Sequence, residues 1–209
     1  MGQIPVQLRT DITTMHHETL DQKPAIQTIT FGTGTSTLGL ALVAATSQGI
    51  CAILLGSNEK ALAGQLRSIF PHAILRKAGK EFEETLNHVV EYIETPTGAV
   101  ALPLDIRGTA FQKRVWNALE KIPAGVTVTY KELALKLGAT AQEVGEACAS
   151  NLHAVAIPCH RVVRSDGGIA GYRWGVNLKR LLLQREQEMF PDPQSLFAKT
   201  ALMRGQAPF

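Results

Sequence analysis

The sequence has few cysteines and no long hydrophobic run. Its three cysteines are Cys51, Cys148 and Cys159, and their spacing matches no metal-binding motif. An odd count without such spacing argues against a disulfide framework and indicates a reducing compartment. No apolar run reaches the ~18 residues that a membrane span needs, and the N-terminus shows no signal-peptide core. We therefore expect a cytoplasmic protein with no membrane partner.

A strong excess of charge of one sign is also lacking, because 21 Lys and Arg nearly balance 18 Asp and Glu. The distribution is uneven, however: residues 101–190 carry 12 Lys and Arg against 8 Asp and Glu, and residues 1–100 carry 7 against 9. A modestly basic second half is compatible with a polyanionic partner, and random placement of surface charges would look the same. With 45% hydrophobic residues, the composition indicates a folded globular protein.

Local patterns predict an α+β fold, in which a small N-terminal α/β domain (an antiparallel sheet plus helices) precedes a mostly helical C-terminal domain. β-forming residues that begin near Ile26, Leu38 and Gly49 predict three antiparallel strands. Apolar periodicity predicts helices over residues 58–70 and 82–93. The predicted parts are a leader at 1–24, a structural domain at 25–98, a second domain at 99–190 and a tail at 191–209.

The second domain contains a pair of short predicted helices. Thr129 caps a helix over residues 130–137, and Glu132 completes a capping box. A turn at Gly138 leads to a helix over residues 141–150, so that the pair has the outline of a helix-turn-helix. Two further helices are predicted, one after Thr109 and one over residues 178–189.

A thiol and an imidazole stand side by side at Cys159 and His160, directly after Pro158. Proline cannot donate a ladder hydrogen bond, so we expect regular structure to stop there. Cysteine is a useful nucleophile only as the thiolate, and a nearby histidine is the commonest group that makes it one. The pair alone is weak support for catalysis, because most free cysteines are small buried hydrophobes.

The longer string is more specific. Ile-Pro-Cys-His-Arg-Val-Val at residues 157–163, followed by Gly-Tyr-Arg-Trp-Gly at 171–175 and by Lys179, resembles the O6-alkylguanine-DNA alkyltransferases. These are also called methylated-DNA–protein-cysteine methyltransferases, and the likeness is strongest to the C-terminal half of bacterial Ada proteins. It covers residues 29–188 and is strong over residues 104–186.

The resemblance implies a suicide enzyme of direct-reversal DNA repair. The alkyl (methyl) group of O6-alkylguanine would pass irreversibly to Cys159, so that one molecule repairs one lesion. A thioether is a very poor leaving group, and no second base is evident to regenerate the thiol. The resemblance implies no cofactor and no metal, a monomeric protein, and double-stranded DNA containing O6-alkylguanine as the partner.

The resemblance also assigns roles to individual residues. The catalytic positions it implies are Cys159 as nucleophile, His160 as a base acting through water, Glu186 behind His160, and Asn151 between the recognition helix and the active-site turn. Tyr130 matches a tyrosine that donates to the departing base, with simple packing under the turn as the alternative. The other substrate-binding positions that the resemblance implies are Val162 and Val163, through their backbone groups, and the side chains of Tyr172, Trp174 and Lys179.

DNA recognition is where the sequence departs from the family. Family members flip the damaged base out of the duplex, lay the second helix in the DNA groove and fill the vacated space with an arginine. Here Gln142 holds the arginine position, and Glu143 and Glu146 replace neutral residues. We therefore expect intact transfer chemistry with reduced duplex affinity, unless another residue fills that space. The DNA-binding positions implied are Ala141, Gln142, Val144, Gly145 and Arg161.

Three further points stay open in the sequence. Trp174 would place an indole at the pocket rim, which favours methyl over benzyl lesions. A protein that senses O6-alkylguanine without repairing it is an alternative, although alkyltransferase-like proteins of that kind lack the cysteine that this chain has as Cys159. A zinc-stabilised transcription factor would have to use Cys148, His153, Cys159 and His160, at spacings that resemble no standard zinc site.

Overall fold

The computed structural model describes residues 27–96 and 102–191. Three antiparallel strands form most of the first sheet: β1 (Thr28–Ser36), β2 (Gly39–Thr46) and β3 (Gly49–Gly56). The hairpin prediction is therefore confirmed. A fourth strand, β4 (Ile74–Lys77), pairs in parallel with β1, and the strand order is β3-β2-β1-β4.

The wholly antiparallel sheet of the prediction is thus wrong at one edge. Strand β4 is four residues long, and its Ile74 is 51% exposed. Such a short and exposed edge strand has no alternation of buried and polar residues that a sequence pattern could reveal.

One helix packs on each face of this sheet. Helix α1 (Glu59–Ile69) begins where the Asn58 side chain accepts a hydrogen bond from the Ala61 amide, as predicted, and it packs against one face. Helix α2 (Glu83–Glu94) follows a 3-10 turn at Lys80–Phe82 and covers the other face. Close approach of α2 requires glycine in β1, because a Cβ on Gly34 would lie 2.7 Å from Val90 Cγ2.

The second part of the chain is mostly helical. Its elements are α3 (Ala110–Leu119), β5 (Val128–Thr129), α4 (Tyr130–Leu137), α5 (Ala141–Ala149), β6 (Val162–Val163) and α6 (Val176–Met189). Capping boxes begin α3, α4 and α5, and Gly138 adopts a left-handed conformation (φ +64°) between α4 and α5. The predicted pair of short helices is present. The two-residue parallel pair of β5 and β6 was not predicted.

Backbone hydrogen bonds join the edge of β3 to the second part. The Ile50 amide donates to Pro103 O (2.8 Å), and the Ile53 amide donates to Leu152 O (2.8 Å). These bonds fix the segment that leads to Cys159 against a rigid sheet. The α+β class is confirmed. The predicted boundary at residues 98 and 99, the leader at 1–24 and residues 192–209 of the tail lie outside the described residues.

Among the helices of the described ranges, none combines the length and the apolar character that a membrane span requires.

Candidate active site

A short 3-10 turn, Cys159–Arg161, carries the predicted nucleophile. Pro158 precedes it, and the Cys159 amide bonds back to Ile157 O (2.8 Å), so regular structure ends at this proline as predicted. Val155, four residues before the cysteine, has a positive φ of 57°. That conformation is strained for a β-branched residue, so the bonds on both sides must hold the segment in place.

Cys159 lines a cavity of about 840 Å³ and is 4% exposed. Asn151, which directly follows the C-cap of α5, donates from Nδ2 to Cys159 Sγ (3.2 Å) and to Ile157 O (2.8 Å). The amide therefore ties the end of α5 to the cysteine turn, which is the geometry that the resemblance implied for Asn151.

The electrostatic surroundings of this thiol act in opposite directions. Burial raises the pKa of Cys159, whereas the Asn151 hydrogen bond and the positive charges of Lys179 and Arg173 lower it. Burial is the largest effect and leaves the pKa of Cys159 above its ordinary value, and the hydrogen bond and the two cations reduce that rise. The site thus holds a buried sulfur with groups arranged to stabilise its ionised form.

His160 is fully buried and forms a pair with Glu186, with His160 Nε2 lying 2.8 Å from Glu186 Oε1. An ionised carboxylate only accepts hydrogen bonds, so Nε2 carries the proton and Nδ1 is left with a free lone pair. Within residues 27–96 and 102–191, Nδ1 has no hydrogen-bond partner. Burial lowers the pKa of His160, so the ring is neutral and able to accept a proton.

Glu186 remains ionised although it is buried. Burial alone would raise its pKa, but hydrogen bonds from His160 and Arg161 lower the pKa of Glu186 to about 2. The Gly125 amide also donates to Glu186 Oε2 (3.2 Å). The carboxylate therefore holds the imidazole in one tautomer and in one orientation.

Arg161 does not lie where a DNA-binding residue would, so that prediction is wrong. It is 3% exposed, and its Nε and Nη2 donate to the Glu186 carboxylate at 2.8–3.1 Å. Its Nη1 donates to Ile122 O (2.5 Å). Because Glu186 needs a counter-charge in the interior, this guanidinium is used inside the protein.

Helix α5 contributes one wall of the cavity. Ala141, Gln142 and Gly145 line it, together with Tyr130 at the start of α4. Val144 is fully buried in the core between α3 and α5, so its predicted contact with DNA is wrong. Helical periodicity explains this, because Val144 points to the face opposite to that of Gln142.

Of the other predicted substrate-binding residues, only Tyr172 lines the cavity. Lys179 is fully buried, and its Nζ donates to Val162 O (2.6 Å). Val162 and Val163 form β6, which pairs with β5. Direct substrate contact by Lys179 is therefore a wrong prediction, because its side chain is buried and bonded inside the protein. Neither valine is among the residues that line the cavity, and a role for their backbone groups at the pocket wall stays a prediction.

Trp174 is also displaced from the predicted pocket rim. Its ring packs edge-on against Tyr172, with a centroid distance of 5.0 Å and an interplanar angle of 66°. The indole borders all three apolar clusters of the described chain and is not among the side chains that line the cavity. Trp174 thus supports Tyr172, which lines the cavity, and its predicted effect on lesion size stays a prediction.

Sequence reasoning missed several residues that line this cavity, among them Cys148 and Arg173. Cys148, in the last turn of α5, faces it and is buried, and burial strongly raises the pKa of its thiol. Its helical spacing of four residues from Val144 could have placed it on the inner face of α5. Arg173 lines the cavity and donates from Nη1 to Ala149 O (2.9 Å). Its position in the Gly-Tyr-Arg-Trp-Gly string was the available signal.

The two histidines of the zinc alternative are engaged in other ways. His153 Nε2 bonds Ile50 O (2.9 Å), and His160 Nε2 bonds Glu186. Across the described ranges, no group of three or more His, Cys, Asp or Glu side chains could hold a metal ion.

Comparison with known proteins identifies relatives of one kind. A sequence profile described as 6-O-methylguanine DNA methyltransferase, DNA binding domain, matches residues 110–188. The Escherichia coli bifunctional transcriptional activator/DNA repair enzyme Ada is 48% identical over 153 residues, which are 72% of this chain and 43% of that protein. The Salmonella typhimurium regulatory protein ada is 47% identical over 152 residues, again 72% of this chain and 43% of that protein. The chain thus spans less than half the length of these two relatives.

Solved structures agree with the sequence relatives. The crystal structure of Mycobacterium tuberculosis O6-methylguanine methyltransferase has 31% sequence identity and a TM-score of 0.62, and the match covers 81% of this chain and 99% of that chain. The structure of M. tuberculosis OGT in complex with DNA has 30% identity and a TM-score of 0.63 over the same fractions of the two chains.

Proposed function

The chain belongs to the 6-O-methylguanine DNA methyltransferase family, and we propose that it reverses O6-alkylguanine damage in DNA by transferring the alkyl group to its own Cys159. The observation that carries this proposal is the arrangement around one sulfur. Cys159 lines a cavity, accepts a hydrogen bond from Asn151 and is adjacent in sequence to a buried His160–Glu186 pair. This arrangement is what a cysteine methyltransferase needs.

The transfer begins with removal of the thiol proton. His160 Nδ1 has the free lone pair to accept this proton, and a bridging water carries it, since adjacent side chains rarely face each other. Glu186 stabilises the imidazolium that forms. Asn151 and Lys179 stabilise the thiolate. His160 and Glu186 therefore act as the acid–base pair for a single sulfur, and Asn151 and Lys179 stabilise its ionised form.

The thiolate then attacks the sp³ carbon of the O6-alkyl group. The S–C bond forms while the C–O6 bond breaks, and the electron pair leaves on the guanine. Tyr130 supplies the proton that neutralises the guanine. Burial raises the pKa of Tyr130, so its hydroxyl is protonated and can donate. The product is a stable thioether, and each molecule therefore acts once.

Because Cys159 is buried at the cavity wall, a damaged base must enter the cavity to reach it. A base that is stacked in B-DNA cannot reach Cys159, so the nucleotide must be flipped out. Ala141, Gln142 and Gly145 of α5 line the cavity and support α5 as the element that faces DNA. Gln142 Nε2 donates to Glu146 Oε1 (3.0 Å), so its polar end is already engaged within α5.

Positive side chains border the same cavity and complement α5. Lys131, Arg164 and Arg173 line it and could contact phosphates, although Arg164 also pairs with Asp166 (3.0 Å). We therefore place phosphate binding on these cations, with α5 supplying shape and hydrogen bonds. Double-stranded DNA, a monomeric protein and a cytoplasmic location complete the proposal. Residues 25–98 would be the structural domain and 99–190 the catalytic one.

The proposal is tested by weighing the intact protein after incubation with a duplex that contains O6-methylguanine. We expect the protein to gain one methyl group and the DNA to contain guanine in its place. Cys159→Ala is the matched control and should bind the duplex without gaining mass. Binding by the native chain with no mass gain would contradict the proposal and favour the lesion-sensing alternative.

A further inference from the structure

A buried histidine outside the Cys159–His160–Glu186 set connects the first sheet to the active-site segment. His153 is 3% exposed, and its Nε2 lies 2.9 Å from Ile50 O at the start of β3. A carbonyl oxygen only accepts, so Nε2 is the protonated nitrogen of this ring. The bond spans 103 sequence positions and joins the sheet edge to the loop after α5.

The backbone of His153 is also the centre of the hydrogen bonds that orient Asn151. Its amide donates to Asn151 Oδ1 (2.8 Å), and its carbonyl accepts from the Ile157 amide (3.0 Å). Asn151 Nδ2 in turn donates to Cys159 Sγ (3.2 Å). A continuous set of bonds therefore leads from β3 through His153 and Asn151 to the reactive sulfur.

We propose that His153 is a positioning residue, whose ring anchors the Asn151–Cys159 hydrogen bond to the edge of β3. This inference rests on the proposed function of Cys159 as the alkyl acceptor, and it adds a residue to that site. The anchored segment includes Val155, whose strained backbone should relax to a negative φ if the segment's attachment to β3 is weakened. Displacement of the Asn151 amide would weaken its bond to sulfur and make the thiolate less stable.

The carbonyl of Ile50 does not depend on the His153 ring for a hydrogen bond. Ile50 O also accepts from the Asp105 amide (2.8 Å), so this carbonyl keeps a partner without the His153 ring. The flanking backbone bonds of Ile53, to Leu152 O and from the Ala154 amide, remain as well. A leucine at position 153 would therefore leave no unpaired carbonyl at Ile50, and the fold should tolerate it.

The test measures the reactivity of Cys159 toward iodoacetamide as a function of pH, with the alkylated peptide quantified by mass spectrometry. We expect His153→Leu to slow the reaction at pH 7 about fivefold, because a hydrogen bond to a charged group is weakened, and to move the midpoint of the profile to higher pH. His153→Gln, whose Nε2 can still donate to Ile50 O, should restore most of the rate. The ionisable groups that act on this sulfur are Cys148, Lys179, Arg173, Tyr130 and Tyr172, and neither they nor the adjacent His160 are altered in these variants.

A second comparison separates positioning from general destabilisation. If His153 acts through Asn151, then His153→Leu should have no further effect on the rate in an Asn151→Ala background. An unchanged rate and pH profile in folded His153→Leu would overturn the inference, as would an equal effect in both backgrounds. If His153→Leu does not fold, His153→Met serves in its place. The iodoacetamide assay uses no DNA, so its outcome is independent of the mass-gain experiment on the duplex.

Discussion

At the scale of single residues, the site depends on two buried ionised groups, the carboxylate of Glu186 and the guanidinium of Arg161. Glu186 is buried and charged because Arg161 and His160 both donate to it. Removing one partner of such a pair costs more than the pair itself contributes, since the remaining charge stays buried. The carboxylate therefore has a structural role toward Arg161 and a chemical role toward His160.

The chemical role predicts the effect of Glu186→Gln. An amide in this position can no longer stabilise an imidazolium at His160, and we expect alkyl transfer to slow by ~100-fold or more. Single-turnover transfer from an O6-methylguanine duplex measures this rate. Glu94→Gln is the matched control, because it also removes a carboxylate that pairs with an arginine (Arg185, 2.9 Å). Equal slowing by both variants would contradict the role assigned to Glu186.

The sequence could predict which residue types form the site but not the direction of each side chain. His160 and Glu186 form the pair that the resemblance implied, and Cys159 lines the cavity, while the action of His160 on Cys159 stays a prediction. Arg161 and Val162, in the same string, point inward because the 3-10 turn ends there and β6 begins. Neither the 3-10 turn nor β6 leaves a recognisable sequence pattern, since both are too short to show a helical or strand periodicity.

At the scale of elements, helix α5 carries a negative charge in the position that we propose faces DNA. Its two carboxylates differ in what they do. Glu143 Oε2 accepts from the Thr140 amide (2.8 Å) and completes the capping box, so it stabilises the helix. The Glu146 side chain is exposed, and among the hydrogen bonds of the described chain its carboxylate accepts only from Gln142. Glu146 is therefore the residue whose charge can be removed without loss of a cap.

Removal of the Glu146 charge should tighten DNA binding. We expect Glu146→Gln to increase affinity for an O6-methylguanine duplex about two- to fivefold at low salt, with a smaller gain at high salt. Fluorescence anisotropy over a series of salt concentrations measures both quantities. Glu91→Gln, at an exposed position on α2, should leave affinity unchanged. Weaker binding by Glu146→Gln would count against α5 as the DNA-facing helix.

Packing of α2 on β1 gives a second prediction at this scale. A Cβ at Gly34 would come within 2.7 Å of Val90 Cγ2, whereas a Cβ at Gly64 in α1 would meet nothing within 4 Å. We expect Gly34→Ala to destabilise the protein by ~1–3 kcal/mol and Gly64→Ala to stabilise it by ~0.5–1 kcal/mol. Urea unfolding of both variants checks the two signs. Destabilisation of similar size in both would show that packing at Gly34 is not the cause.

At the scale of the whole molecule, two buried histidines make the stability of the fold depend on pH. Burial lowers the pKa of both His153 and His160, so the folded protein binds fewer protons there than the unfolded chain does. Each therefore contributes stability that is fully present above the unfolded pKa of ~6.5 and is lost as pH falls. Glu186, with a pKa of about 2, adds a further loss below pH ~4.5.

The free energy of unfolding should therefore decrease between pH 8 and pH 5. His160→Gln should flatten this decrease, because the titrating ring is gone, while His88→Gln at an exposed position should not change it. Urea unfolding at several pH values provides the measurement. A slope that is the same in His160→Gln and in the native chain would contradict the assignment.

Predictability from sequence also differs with scale. Helices that begin with a capping residue and carry an apolar face were predicted within a few residues, as α4 shows at Tyr130–Leu137. Strand β4 was missed because an exposed four-residue edge is defined by its partner β1 alone. The attachment of residues 152–154 to β3 was likewise unpredictable, since those hydrogen bonds join backbone groups a hundred residues apart.

The central claim is that one sulfur accepts one alkyl group and is not regenerated. The most direct measurement mixes the protein with an excess of duplex that carries isotope-labelled O6-methylguanine and counts methyl groups per protein chain by peptide mass spectrometry. The account predicts a plateau at one methyl group, all of it on the peptide that contains Cys159. Continued turnover beyond that plateau, or label on Cys51 or Cys148, would contradict it.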